Sequence, residues 1–150
     1  ADNAYNVINM ETILSTMNTM ENVMTGMLAG IASISLLVGG IGIMNMMLVS
    51  VSERTNEIGL RKALGANPGI IQLQFLMESI FLSAVGGIIG IIIGELLSLL
   101  ASSLIGTAYV PDAFAVLLGF GFSVGVGVIF GWAPARKASR LNPIDALRSE

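Results

Sequence analysis

Glu53, Arg54, Glu57, Arg61 and Lys62 form the densest run of charge in a sequence that otherwise avoids charge. Acids and bases packed this closely can hold one another, and they can dock a soluble partner. Catalysis asks for more. The chain has no cysteine and no histidine. That removes disulfides, thiol nucleophiles, imidazole bases and the commonest metal ligands. No acid pair, catalytic triad or metal cluster can be drawn from the side chains that remain. Gly86-Gly87-Ile88-Ile89-Gly90 lacks the lysine of a phosphate-cradling loop and lies in an apolar run. The sequence therefore points away from an enzyme and toward a chain that binds no cofactor or metal itself.

The elements that carry the charged run are set by composition. The chain is 54% hydrophobic and 11% charged, with a mean hydropathy of +0.83. A soluble domain carries about 25% charged residues, so an all-α membrane protein is expected. The net charge of −3 is too small to argue for nucleic acid.

Residues 1–22 read as the end of an extracytoplasmic domain followed by a stalk. Tyr5-Asn6-Val7-Ile8-Asn9 alternates, as the last strand of an upstream domain would, or belongs to a disordered terminus. Asn9 is then a suitable N-cap. Ile13, Leu14, Met17, Met20, Met24 and Met27 recur at helical spacing. No charge occurs from Asn22 to Ser52. Those 31 residues make about 46 Å of helix at ~1.5 Å per residue. The hydrocarbon core is only about 30 Å thick, so the first span, residues 23–52, must tilt or stand proud of the membrane. The charged segment 53–66 follows as a short helix. Gly65 sits where a C-cap glycine belongs, and Asn67-Pro68 supplies the next N-cap and first turn. Ile58, Leu60 and Leu64 are expected to give the short helix an apolar side.

The second span covers residues 68–101, the loop 102–112 and the third span 113–135, which ends in Trp132-Ala133-Pro134. The tail 136–150 is basic and polar, and Asn142-Pro143 opens a short terminal helix. All seven basic residues fall in two clusters, Arg54, Arg61 and Lys62, then Arg136, Lys137, Arg140 and Arg148. Basic residues gather on the cytoplasmic side. The stalk and the 102–112 loop are therefore expected outside, and the charged segment and the tail inside a multi-pass cytoplasmic membrane. The chain opens at Ala1 without a basic region or cleavage pattern, so an upstream part of a longer protein is expected to place its N-terminus outside.

Glycines recur four apart in every span: Gly26 and Gly30; Gly86, Gly90 and Gly94; Gly121 and Gly125; Gly127 and Gly131. Small residues at this spacing let helices approach closely in lipid, and such contacts would let them slide as rigid bodies. Gly39-Gly40 could instead be a flexible joint. Three polar groups lie within the spans. Asn45 is expected to hydrogen-bond a neighbouring helix. Glu78, near the inner interface, is expected to pair with Arg54 or Arg61. Glu95 either faces a path or partner helix, or is wet at the outer interface. A carboxylate at mid-membrane costs roughly 2.5–3.5 kcal/mol.

Ser52-Glu-Arg-Thr-Asn-Glu-Ile-Gly-Leu-Arg-Lys-Ala-Leu-Gly-Ala66 strongly resembles the signature of the MacB/FtsX-like permeases of ABC transporters. So do Leu37-Val-Gly-Gly-Ile-Gly-Ile-Met-Asn-Met-Met-Leu-Val-Ser50, Gln74-Phe-Leu-Met-Glu-Ser79 and Gly131-Trp-Ala-Pro-Ala-Arg-Lys-Ala-Ser-Arg-Leu-Asn-Pro-Ile-Asp-Ala-Leu-Arg148. The resemblance implies the last three of four spans and a permease that dimerises. It implies an ATP-binding cassette subunit at the cytoplasmic face, which carries the ATP and magnesium. It makes the charged helix the coupling helix, with Glu53, Arg54, Thr55, Glu57, Ile58, Leu60, Arg61, Lys62 and Leu64 as its contact residues. The function implied is efflux of antibiotics or peptides, or mechanotransmission through the stalk to a periplasmic adaptor or other outer partner. Activation of an external cell-wall hydrolase and lipoprotein release are the alternatives within the same architecture. A channel or secondary transporter is disfavoured, because ion paths show charge within several spans.

Overall fold

A computed structural model describes residues 2–148. These residues form five helices and no strand: α1 Asp2–Glu53, α2 Thr55–Ala63, α3 Pro68–Ile105, α4 Ala113–Ser139 and α5 Pro143–Arg148. α1, α3 and α4 are each long and apolar enough to cross a membrane. Many of their large apolar side chains are more than half exposed, Phe81, Ile92, Leu97, Phe114 and Leu117 among them. A soluble surface does not carry apolar patches on this scale, but hydrocarbon accepts them.

The chain divides into two compact units, one ending at Leu37 and the other beginning at Val38. The first unit is helical throughout its described residues. The strand expected at Tyr5–Asn9 is not one, and Asn9 caps nothing, since both lie inside α1. The physical reason is cooperativity. Five alternating residues have no strand to pair with among the described residues, whereas extending a helix that already exists avoids the cost of nucleation. Ile13, Met17, Met20, Met24 and Met27 are all more than half exposed.

The second unit is organised by the α3–α4 pair. A Cβ added at Gly131 would meet the Ser79 side chain, and one at Gly127 would meet Ser83 and, at 3.1 Å, the backbone of Ile80. One at Gly87 would lie 2.6 Å from Ser123 Oγ, and one at Gly119 3.8 Å from Ile91. Each step of four along α3 (79, 83, 87, 91) is matched by a step of four back along α4 (131, 127, 123, 119). The helices are therefore antiparallel in one fixed register, with serine facing glycine at three successive levels. The Ser79 hydroxyl is fully buried and donates to Gly127 O at 2.7 Å. Ser83 and Ser123 donate back to their own helices, to Ile80 O and Gly119 O. Hydroxyls are thus satisfied while the backbones come close, which is how helices adhere where lipid removes the hydrophobic drive.

The α-helix ends follow local chemistry. Asn67 Oδ1 accepts from Gly69 N, and Asp112 Oδ1 from Phe114 N. α3 runs to Ile105, because no breaker occurs before Gly106, which caps it at φ +87°. α4 passes through Pro134 and continues to Ser139. A proline inside a helix costs about 3 kcal/mol. Here Pro134 is among the most buried side chains, and Ala135 and Ala138 after it are fully buried. Packing over the last turn offsets the loss. Helix runs through Gly39 and Gly40, and Gly40 faces the Phe130 ring.

Met47 and Val51 of α1, Ile58 of α2, Ile71 and Phe75 of α3, and Ala135 and Ala138 of α4 make one buried cluster. α2 contributes Ile58 alone to this cluster. Burying Ile58 away from water contributes roughly 1.5–3 kcal/mol.

Candidate functional site

α2 and the residues around it hold most of the chain's polar chemistry. α1 ends at Glu53, and Arg54, at φ −101° and ψ 15°, is the single junction residue. Hydrogen bonds step across it, Arg54 N to Ser50 O and Ile58 N to Arg54 O, both 3.0 Å. The Thr55 hydroxyl donates to Val51 O and Ser52 O, which closes the last turn of α1. At the far end Gly65 takes φ +97°. Ala66 N donates to Arg61 O and Gly65 N to Lys62 O. This is the paired arrangement that ends a helix at a left-handed glycine. α2 is thus closed at both ends within a few residues of two apolar helices.

Its charged side chains tie it to α3. Arg54 Nε lies 3.2 Å from Glu57 Oε2, and Arg54 Nη1 3.3 Å from Glu78 Oε1. Glu78 has therefore taken Arg54 rather than Arg61. Arg61 bridges Glu57 and Gln74, both at 2.7 Å. The Arg54 guanidinium also stands 5.1 Å from the centre of the Phe75 ring. Each pair is partly exposed, so solvent screens it. The network therefore orients α2 more than it stabilises it. The hydrogen bond from Arg54, with the charges of Arg54 and Arg61, holds the Glu57 carboxyl below its ordinary range. The same hydrogen bond raises Arg54.

A pH effect follows. A carboxylate whose pKa is lowered on folding adds stability above its unfolded value of about 4.3, and loses it as pH falls through the lower folded value. Wild-type protein should therefore lose thermal stability in that acid window more steeply than Glu57→Gln. Melting curves of both across pH 5 to about pH 3, the span of carboxylate titration, check this, and parallel curves would refute it.

The other face of α2 meets the C-terminal segment. Lys62 Nζ donates to Leu141 O at 2.6 Å. Partial burial lowers the Lys62 ammonium from its ordinary value. A Cβ on Gly59 would stand 2.6 Å from Ala146 Cβ and 3.3 Å from Pro143 O. Asn142 Oδ1 caps α5 by accepting from Ile144 N.

The expected contact residues therefore divide. Ile58 does not share an apolar side with Leu60 and Leu64: it is fully buried, while they are 52% and 81% exposed. Two residues apart on a helix of 3.6 per turn is roughly 200°, so 58 and 60 point opposite ways. Glu53 and Glu57 are exposed, and Arg54, Thr55, Arg61 and Lys62 are half-buried. Among the expected glycines, Gly127 and Gly131 fit against α3, whereas Gly26, Gly30, Gly86, Gly90, Gly94, Gly121 and Gly125 have open space where a Cβ would go. Asn45 is exposed, and Glu95 is half-buried four residues beyond Ile91. Sequence reasoning missed the Gly59–Ala146 contact and the serines Ser79, Ser83 and Ser123. The signal was there in the spacing: Ser123 lies four before Gly127, and Ser79 and Ser83 lie eight and four before Gly87.

Three lipid-suited helices, the first two joined by a closed, charged segment, define a multi-pass membrane protein. The chain belongs to the FtsX-like permease family, matching the family's C-terminal domain over residues 29–143. It is 55% identical over 147 residues to the macrolide export ATP-binding/permease protein MacB of Bdellovibrio bacteriovorus, covering 98% of this chain and 23% of that protein. It is 50% identical over 149 residues to the uncharacterized ABC transporter permease YknZ of Bacillus subtilis, covering 99% of this chain and 38% of that one. A MacB of Rhodopirellula baltica is 54% identical over 120 residues, 80% of this chain and 18% of the relative. The chain thus spans well under half the length of these relatives.

Proposed function

We infer that this chain is the membrane portion of an ATP-driven transporter's permease, and that α2 is the helix that docks on the ATP-binding subunit. The observation that carries this is the construction of α2. It is a short polar helix between two apolar ones, closed at each end and cross-tied to α3, with Leu60 and Leu64 left outward. A helix so fixed can receive a push and pass it on. ATP and magnesium belong to the partner. The relatives' names support the reading, since they describe ATP-binding/permease and ABC transporter permease proteins.

The finer assignment follows the sequence. Residues 2–22 form the external stalk, and the 102–112 region lies outside. α2 and α5 are cytoplasmic. A second copy covers part of the uncovered methionine stripe and the open glycine faces. The work done is efflux of antibiotics or peptides, or mechanotransmission to an outer partner.

These 150 residues hold no cysteine, so one experiment is decisive once any cysteine elsewhere in the protein is replaced. In full-length protein, Thr107→Cys should react with an impermeant maleimide from outside, and Leu60→Cys only after permeabilisation. Co-expression of the ATP-binding subunit should shield Leu60→Cys by about tenfold, as a site buried in an interface would be. Labelling of residue 107 from inside would overturn the topology, and unshielded residue 60 would overturn the docking.

A further inference from the structure

The C-terminal helix has no role in the docking reading above, yet it is built against the docking helix. Among the described residues α5 has six. A stretch that short is well below the about 12–15 residues at which an isolated helix is even marginal in water, so contacts hold these six in place. Those contacts are with α2. Ala146 is fully buried and sits over Gly59, with Pro143 O and Leu147 N close beside it. Glycine within a helix costs about 1 kcal/mol relative to alanine. Gly59 has no positive φ, so its backbone does not call for glycine; the close approach of α5 does. One turn on, Lys62 reaches Leu141 O beyond the end of α4, and Leu141 packs against the buried cluster that holds Ile58.

We propose that α5 is a clamp that fixes the pose of α2, with Gly59, Lys62, Leu141 and Ala146 as positioning residues for the outward Leu60–Leu64 face. The clamp ties α2 to the end of α4, as the Arg54–Glu78 and Arg61–Gln74 contacts tie it to α3. The docking helix is then held by both later spans. Without the clamp, α2 keeps its charges and its leucines but loses a defined orientation. This role rests on the docking reading only for its consequence, because the clamp itself can be measured without a partner.

The experiment uses the full-length protein, alone and with its ATP-binding subunit, and three variants. Gly59→Ala pushes a methyl group into Ala146. Gly59→Ala with Ala146→Gly moves the methyl to the other helix and restores the space. The third variant stops after Leu141. Hydrogen exchange of the amides of residues 58–63 reads the clamp. ATP hydrolysis by the complex, relative to the ATP-binding subunit alone, reads coupling. Gly59→Ala and the truncation should each speed exchange by about tenfold, as overpacking or loss of a helix contact does. Both should lower coupling while the two proteins still co-purify, and the swap should recover both readings. Unchanged exchange in Gly59→Ala and the truncation, or a swap no better than Gly59→Ala, overturns the clamp. If wild-type protein fails to co-purify with the subunit while exchange behaves as expected, the docking reading fails and the clamp stands.

Discussion

Gly127→Leu should leave little folded protein in the membrane. A Cβ there would already lie 3.1 Å from the Ile80 backbone and press on Ser83, so a leucine has nowhere to go unless α3 and α4 part. Overpacking typically costs 1–3 kcal/mol. Here the same separation also breaks the hydrogen bond from Ser79 to Gly127 O, and it opens the levels above and below. The whole loss is large beside a total stability of about 5–15 kcal/mol. Gly125→Leu is the control, because a Cβ at Gly125 meets nothing within 4 Å in this chain. The midpoint of thermal unfolding in detergent should fall sharply for the first variant and little for the second. Equal midpoints would refute the register described for α3 and α4.

The second large effect concerns docking. Leu60→Asp with Leu64→Asp should cut ATP hydrolysis by the complex by about tenfold or more, the loss expected when anchors of a desolvated interface are replaced. The unfolding midpoint of the permease alone should barely move, since both side chains are exposed. Charge reversal at Arg61 and Lys62 should also uncouple the complex, but for a mixed reason. Arg61 holds Glu57 and Gln74, and Lys62 holds Leu141 O. Reversal would set a carboxylate beside Glu57 and release α2 from both neighbours. The leucine pair separates contact from orientation, and the charge pair does not. Full hydrolysis in the leucine variant would place the docking surface elsewhere.

Much of this was legible in the residues. Three apolar runs gave three long helices, and Asn67-Pro68, Gly65 and Asn142-Pro143 marked helix ends that hydrogen bonds now account for. At Tyr5–Asn9, local alternation suggested a strand, but a helix already under way extends at little cost. There the continuity of the helix overrules a five-residue pattern. The glycines taught a second point. Their spacing indicated close approach without indicating to what, so only Gly127 and Gly131 of the expected set meet a helix of this chain. Gly59 stood alone among charged residues, with no repeat to mark it. Its neighbour Ala146 is 87 residues away in the chain, a separation that no pattern in the sequence bridges.

The serine–glycine pairing of α3 with α4 has a mechanical consequence. Sliding one helix past its neighbour by a single residue would drive hydroxyls into side chains instead of hollows. A slip of four residues, about 6 Å along the axis, would set Ser123 against Ser83 or against Ile91. The two helices therefore fit in one register alone, as a key cut for a single lock.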